Sequence, residues 1–166
     1  MTLYEYEKKV IECIVDPACT EVILNNDIYH ATILIEQMFK HATQKVKLLS
    51  VSLDSRLYSQ KNVLDAMRGF LQKQYTSLDI VTEQEICPES NVALLKILDK
   101  FKTKISAKIA EPWLSEQYEY NFLVADESTY RFEGDKNKHE ATVEFHNKEY
   151  TLKLNNVFDK IYKLAQ

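Results

Sequence analysis

The stretch that most constrains this chain runs from Tyr118 to Asn137, YEYNFLVADESTYRFEGDKN. Within it, Phe122-Leu123-Val124-Ala125 is a short apolar run closed at once by Asp126. Glu127-Ser128 then supplies a turn, and Thr129 to Phe132 reads as a second strand. A buried strand that ends on a carboxylate and folds straight back sets an acid at the edge of a sheet.

The rest of the chain alternates helical and strand spacing. Residues 3–15 read as a helix, ended by Asp16-Pro17 because the residue before proline is pushed out of the helical region. Thr20 to Asn25 is a β run, and Asn25-Asn26-Asp27 offers helix caps to Ile28–His41, whose Ala31, Leu34, Ile35, Met38 and Phe39 share a face. Strands are predicted at 46–51, 77–81, 104–109 and 141–146, with helices at 61–74, 89–101 and 150–165. The lysine-bearing strand at 104–109 is placed near a sheet edge. Helices alternating with strands predict an α/β fold, a mixed and largely parallel sheet with helices on both faces. No linker or repeat interrupts residues 1–166, which read as one domain.

Composition removes several function classes. Gly69 and Gly134 are the only glycines, so a glycine-rich phosphate loop or dinucleotide fingerprint is absent. The net charge of −4 argues against non-specific nucleic-acid binding. Cys13, Cys19 and Cys87 have no metal-ligand spacing and read as reduced thiols, which predicts a cytoplasmic protein. The charged N-terminus lacks the apolar block of a signal peptide, and no run approaches the ~20 residues of a membrane span. No cofactor or metal is expected. His30 and His41 lie about 16 Å apart along their helix, and His139 and His146 bracket one strand, so neither pair converges on an ion. Ser50, Ser52 and Ser55 have no glycine-containing elbow and read as capping or turn residues.

The order of elements and the central stretch resemble the phospholipase D-like superfamily. Its active members carry H-x-K-x4-D on a strand, then, after six intervening residues, G-S-x-x-N. With the motif Asp on Asp126, the Lys position falls on Asn121 and the His position on Glu119. The small pair falls on Glu133-Gly134 and the last Asn on Asn137. The resemblance implies a nucleophilic His and a phosphate-holding Lys, and both are replaced. A glutamate repels a phosphodiester, and an asparagine offers no positive charge. The resemblance thus implies a degenerate, non-catalytic module whose remnant pocket is Glu119, Asn121, Asp126, Arg131 and Asn137.

Three functions follow as expectations. The first is a module that acts by binding, as a homodimer or as an accessory subunit of a larger, nuclease-associated or defence-type system. Ten tyrosines tilt the composition towards a protein partner. The second is a divergent phosphodiesterase using Asp126 or Glu119 in acid–base work. The third is a sensor that hydrogen-bonds a small polar ligand or nucleotide in the old pocket. Lys96, Lys100, Lys102, Lys104 and Lys108, with Tyr118, Tyr120 and Arg131, are the weaker candidate for a nucleic-acid groove.

Overall fold

The computed structural model describes residues 1–166. In chain order the elements are α1 (Leu3–Val15), β1 (Ile23–Asn25), α2 (Ile28–His41), β2 (Lys45–Ser50), α3 (Ser55–Tyr58), α4 (Lys61–Gln72) and β3 (Ser77–Thr82). Then come α5 (Val92–Lys100), β4 (Ile105–Ile109), α6 (Pro112–Ser115), β5 (Asn121–Ala125), β6 (Thr129–Glu133), β7 (Ala141–Glu144) and α7 (Lys148–Leu164). All seven strands form one sheet in the order β1-β7-β6-β5-β2-β3-β4. Two short helices, α3 and α6, occupy segments where the sequence reading places connections.

The sheet is mixed and flanked by helices, as expected, but it is not largely parallel. Only β2, β3 and β4 run parallel, and every other neighbouring pair is antiparallel. The reason is loop length. Helices carry the chain back between β2 and β3 and between β3 and β4, whereas β5, β6 and β7 are joined by the short loops 126–128 and 134–140. Such loops cannot return a chain to the end it left, so each strand reverses.

The apolar run of β5 is buried on both faces because the two faces enter different cores. Leu123 and Ala125 join Val46, Leu48, Phe39 and Phe70 under α1 to α5. Phe122 and Val124 join Leu49, Leu154, Phe158 and Ile161 under α6 and α7. Successive residues of a strand point to opposite faces, so an unbroken apolar run is what a central strand covered on both sides requires. The caps read from sequence are present where α2 begins: Asp27 accepts from the His30 N–H at 2.8 Å. The lysine-bearing β4 is an edge strand.

Asp126 adopts a left-handed backbone conformation, φ 55°, which Asp tolerates better than most residues. Its carboxylate accepts from the backbone N–H groups of Thr43, Gln44 and Lys45 at 2.9–3.0 Å. Its own N–H donates to the Lys45 carbonyl at 2.8 Å. Asp126 therefore fastens the β5–β6 turn to the segment that enters β2.

The reading of Cys13 and Cys19 as reduced thiols is overturned, because they form a disulfide with their Cα atoms 5.3 Å apart. The turn after Asp16 folds the chain back, with the Cys19 N–H donating to the Asp16 carbonyl at 3.0 Å. Cys87 is free and exposed. No helix is long and apolar enough to cross a membrane.

Asp126→Ala is expected to cost roughly 2 kcal/mol, because three backbone donors lose a charged acceptor, and Asp126→Asn less, because one oxygen remains. Urea unfolding followed by circular dichroism measures both, and equal midpoints for the Ala variant and the wild type would contradict the fastening role. Reducing the disulfide is expected to lower stability by about 2 kcal/mol, the entropy of so short a loop. Melting with and without dithiothreitol checks this, with a Cys13→Ala/Cys19→Ala variant serving as the reductant-insensitive control.

Candidate functional site

Leu49 of β2 lies opposite Phe122 of the antiparallel β5, so the carboxyl end of β2 sits beside the amino end of β5. The carboxyl end of β6 joins them, since Glu133 pairs with Asn121. The chain leaving β2 continues to β3 on one side while β5 lies on the other. A crevice opens beyond strand ends at such a switch point. A cavity of about 100 Å³ occupies it.

The loop after β2 forms one wall. In it Leu53, buried and not a glycine, has φ 57°. The Leu53 N–H donates to Ser50 Oγ at 3.2 Å. Holding a bulky residue there costs about 1–3 kcal/mol, and such strain clusters at binding sites and active sites.

The floor is polar and buried. Arg131 and Glu133, two apart on β6, point to one face and are 3% and 4% exposed. Arg131 Nη1 meets Glu133 Oε1 at 2.7 Å. Asn121 Nδ2 donates to the other oxygen of Glu133 at 3.3 Å. Arg131 Nε donates to Oδ1 of the fully buried Asn25 at 3.0 Å. Arg131 Nη2 and Asn121 Oδ1 are buried and have no partner in the chain.

Asn25 also donates to the His139 carbonyl at 2.7 Å, which ties the 134–140 loop to β1. His139 Nε2 lies 2.9 Å from Arg56 Nη2. A guanidinium only donates, so Nε2 accepts and the ring proton sits on Nδ1. That Nδ1 is likewise buried without a partner. Arg56 also grips Asp54, Nη2 to Oδ2 at 2.6 Å. Its hydrogen bonds hold the Asp54 carboxyl below the usual carboxylate range. Burial pushes the phenol of Tyr58, at the cavity wall, above its ordinary value. Lys136 Nζ is spent on Glu83 at 2.7 Å and on the carbonyls of Ser115 and Tyr118.

Of the five residues expected to form a remnant pocket, Asn121 and Arg131 line this cavity and the other three do not. Asp126 stands at the opposite end of β5, roughly 16 Å along the strand, engaged with the entry to β2. Glu119 is exposed, and its carbonyl accepts from the Lys136 N–H. Asn137 is exposed, its N–H donating to Asp135. The separation follows from strand geometry, since a straight strand cannot bring positions 121 and 126 together.

Sequence reasoning missed Asn25, Asp54, Glu133 and His139. Arg131 and Glu133 carried a signal, opposite charges two apart at inward positions of a strand. Asn25 and His139 carried none, because the pairing of β1 onto β7 brings them together. The other candidates disperse. His30 stacks on Tyr6, His41 bonds the Gln37 carbonyl and His146 the Cys13 carbonyl. Lys104 and Lys108 are bonded to backbone carbonyls and Arg131 is buried.

The fold is phospholipase D-like. The chain is similar to NucT from Helicobacter pylori at 14% identity and TM-score 0.60, covering 87% of this chain and 97% of that one. It is similar to phosphatidylserine synthase from Haemophilus influenzae Rd KW20 at 8% identity and TM-score 0.56, covering 88% of this chain and 39% of that one. It is also similar to TrmBL2, an archaeal chromatin protein described with a novel mode of DNA binding, at 13% identity and TM-score 0.65. That match covers 98% of this chain, which spans 61% of TrmBL2. At these identities the likeness is one of fold. No curated protein matches the chain. Residues 27–166 match the family described as a domain of unknown function, DUF7931, and the chain belongs to that family.

Proposed function

We propose that the chain is a non-catalytic phospholipase D-like module that works by binding a small ligand in the cavity between β2, β5 and β6. One observation carries the reading: Arg131, Asn121 and His139, which line the cavity, are held in a fixed polar network by Glu133, Asn25 and Arg56, while a free nucleophile beside a free cation is missing. His139 is the one imidazole there. The lone pair of its Nε2 is taken by Arg56, and its Nδ1 carries the proton. Neither nitrogen is free to attack phosphorus. Arg131 and Lys136 are each paired with a carboxylate, so neither offers the unshared charge that a transferring phosphoryl group needs. The strained backbone at Leu53, on the loop forming the cavity's wall, supports a binding role for this rim.

Such a module passes its ligand state to a second protein, as a homodimer or as an accessory subunit. The edge of β4 supports this, since Gln166 is its one backbone partner on the open side, bonded at Ile109.

Hydrolysis of bis(p-nitrophenyl) phosphate and of single-stranded DNA is expected to stay at background, unchanged by His139→Ala. Turnover that disappears in the His139 or Asn121 variant would sink the non-catalytic reading. Light scattering over a hundredfold concentration range tests self-association. A constant monomer mass would leave the accessory arrangement as the remaining form.

A further inference from the structure

β4 ends the sheet on one side, and its outer backbone is only partly used. The Ile109 N–H donates to the Gln166 carbonyl at 2.8 Å, and the Gln166 N–H donates back to the Ile109 carbonyl at 3.0 Å. Two residues that exchange both bonds form the hydrogen-bonded pair of an antiparallel ladder, so Gln166 is the first rung of an eighth strand. Alternate residues of a strand direct their N–H and C=O to the same side. Ile105 and Ala107 therefore point outward with Ile109. The residues between them serve β3, where the Lys104 carbonyl accepts from Leu78 and the Ala110 N–H donates to Thr82. The two N–H and two C=O groups of Ile105 and Ala107 have no backbone partner on the outer side, and Ala107 is exposed.

This open stretch is basic, in a chain of net charge −4. Residues 96–108 hold five lysines against one acid, Asp99, and the exposed Lys160 and Lys163 lie on the helix that leads to Gln166. Asp159, beside them, is paired with Lys47. Lys104 donates to the carbonyls of Leu71 and Lys73 at 2.6 Å, and Lys108 to the Tyr162 carbonyl at 3.1 Å. A carbonyl holds an ammonium in place without cancelling its charge, so the field along the edge stays positive. Glu111 follows β4 at the end that Gln166 already covers. A second copy fits poorly here. A two-fold β4–β4 pairing centred on Ala107 needs the outer groups of Ile109, which Gln166 holds, and it sets two basic edges together.

We infer that the open edge of β4 takes an extended acidic segment of another protein, added antiparallel in the register that Gln166 begins, with its residues opposite Ala107 and Ile105. Backbone bonds to those two residues hold the segment, and the lysines around them select its acidic side chains. The inference rests on the reading of this edge as a partner surface. It names the partner chemistry of the accessory arrangement and is independent of what the cavity binds.

NMR titration of the isotope-labelled full chain tests it, with acetylated and amidated heptapeptides of alternating valine and glutamate or alternating valine and lysine. The glutamate peptide is expected to slow amide exchange at Ile105 and Ala107 and to bind at least about tenfold tighter than the lysine peptide. Ala107→Pro removes an outward donor where an edge strand accepts proline, and is expected to weaken the glutamate peptide about tenfold or more. Lys102→Glu changes an exposed side chain and leaves the backbone donors in place, and is expected to weaken the same peptide about fivefold. Equal affinity for the two peptides would overturn the inference, and so would unchanged affinity in both variants or protection confined to other amides. A short oligothymidylate that binds more tightly than the glutamate peptide would overturn it in favour of nucleic acid. A dimer that Ala107→Pro dissociates would overturn it in favour of a second copy. Phosphodiester turnover is a separate readout, so a failure of the non-catalytic reading is distinguishable from a failure at this edge.

Discussion

The carboxylate of Glu133 is the group on which the cavity depends. It is almost fully buried, and each oxygen holds a different side chain, Arg131 on one and Asn121 on the other. A carboxylate this buried is tolerable only while its partners stay in place, because an isolated buried charge costs far more than its pairing returns. The same bond that keeps Glu133 soluble inside the protein therefore keeps Arg131 and Asn121 still. From Arg131 the network passes to Asn25 on β1, and from Asn25 to the loop that carries His139. One buried ion pair thus connects an edge strand, two central strands and a loop.

Strand order makes that connection possible. β1 precedes β2 in the chain by a single helix, yet it lies at the far edge, paired with β7. This leaves β5 and β6 between β1 and β2, so their inner face looks towards residues contributed from both sides. The antiparallel reversal of β5 and β6 then sorts the ends. Asn121 and Glu133 meet at the rim where β2 finishes, and Asp126 goes to the rim where β2 begins. At the rim where β2 finishes, Arg131 and Lys136 are held in closed ion pairs.

Much of this is legible in the sequence. The β5–β6 hairpin, the edge position of the lysine-bearing β4 and the Asp27 cap follow from local patterning. The reading failed where two residues had to be near in space without being near in sequence. A motif read along the chain groups Asp126 with Asn121, whereas a strand holds its two ends apart. The alternation of helices and strands predicts a largely parallel sheet because it implies crossovers, and the short loops after β5 and β6 decide otherwise. Cys13 and Cys19 showed no framework because the turn at Asp16 that folds one back on the other is a conformation, not a composition.

By itself the sequence determined which segments become strands and helices and which faces they bury, since these depend on periodicity and residue type over a few neighbours. The tertiary structure alone decided that Asn25, Arg131, Glu133, Asn121 and His139 share one cavity. It also decided that the cations there are already paired. Those facts depend on strand order and register, which are settled by the packing of two cores at once and leave no trace in any one stretch of the chain.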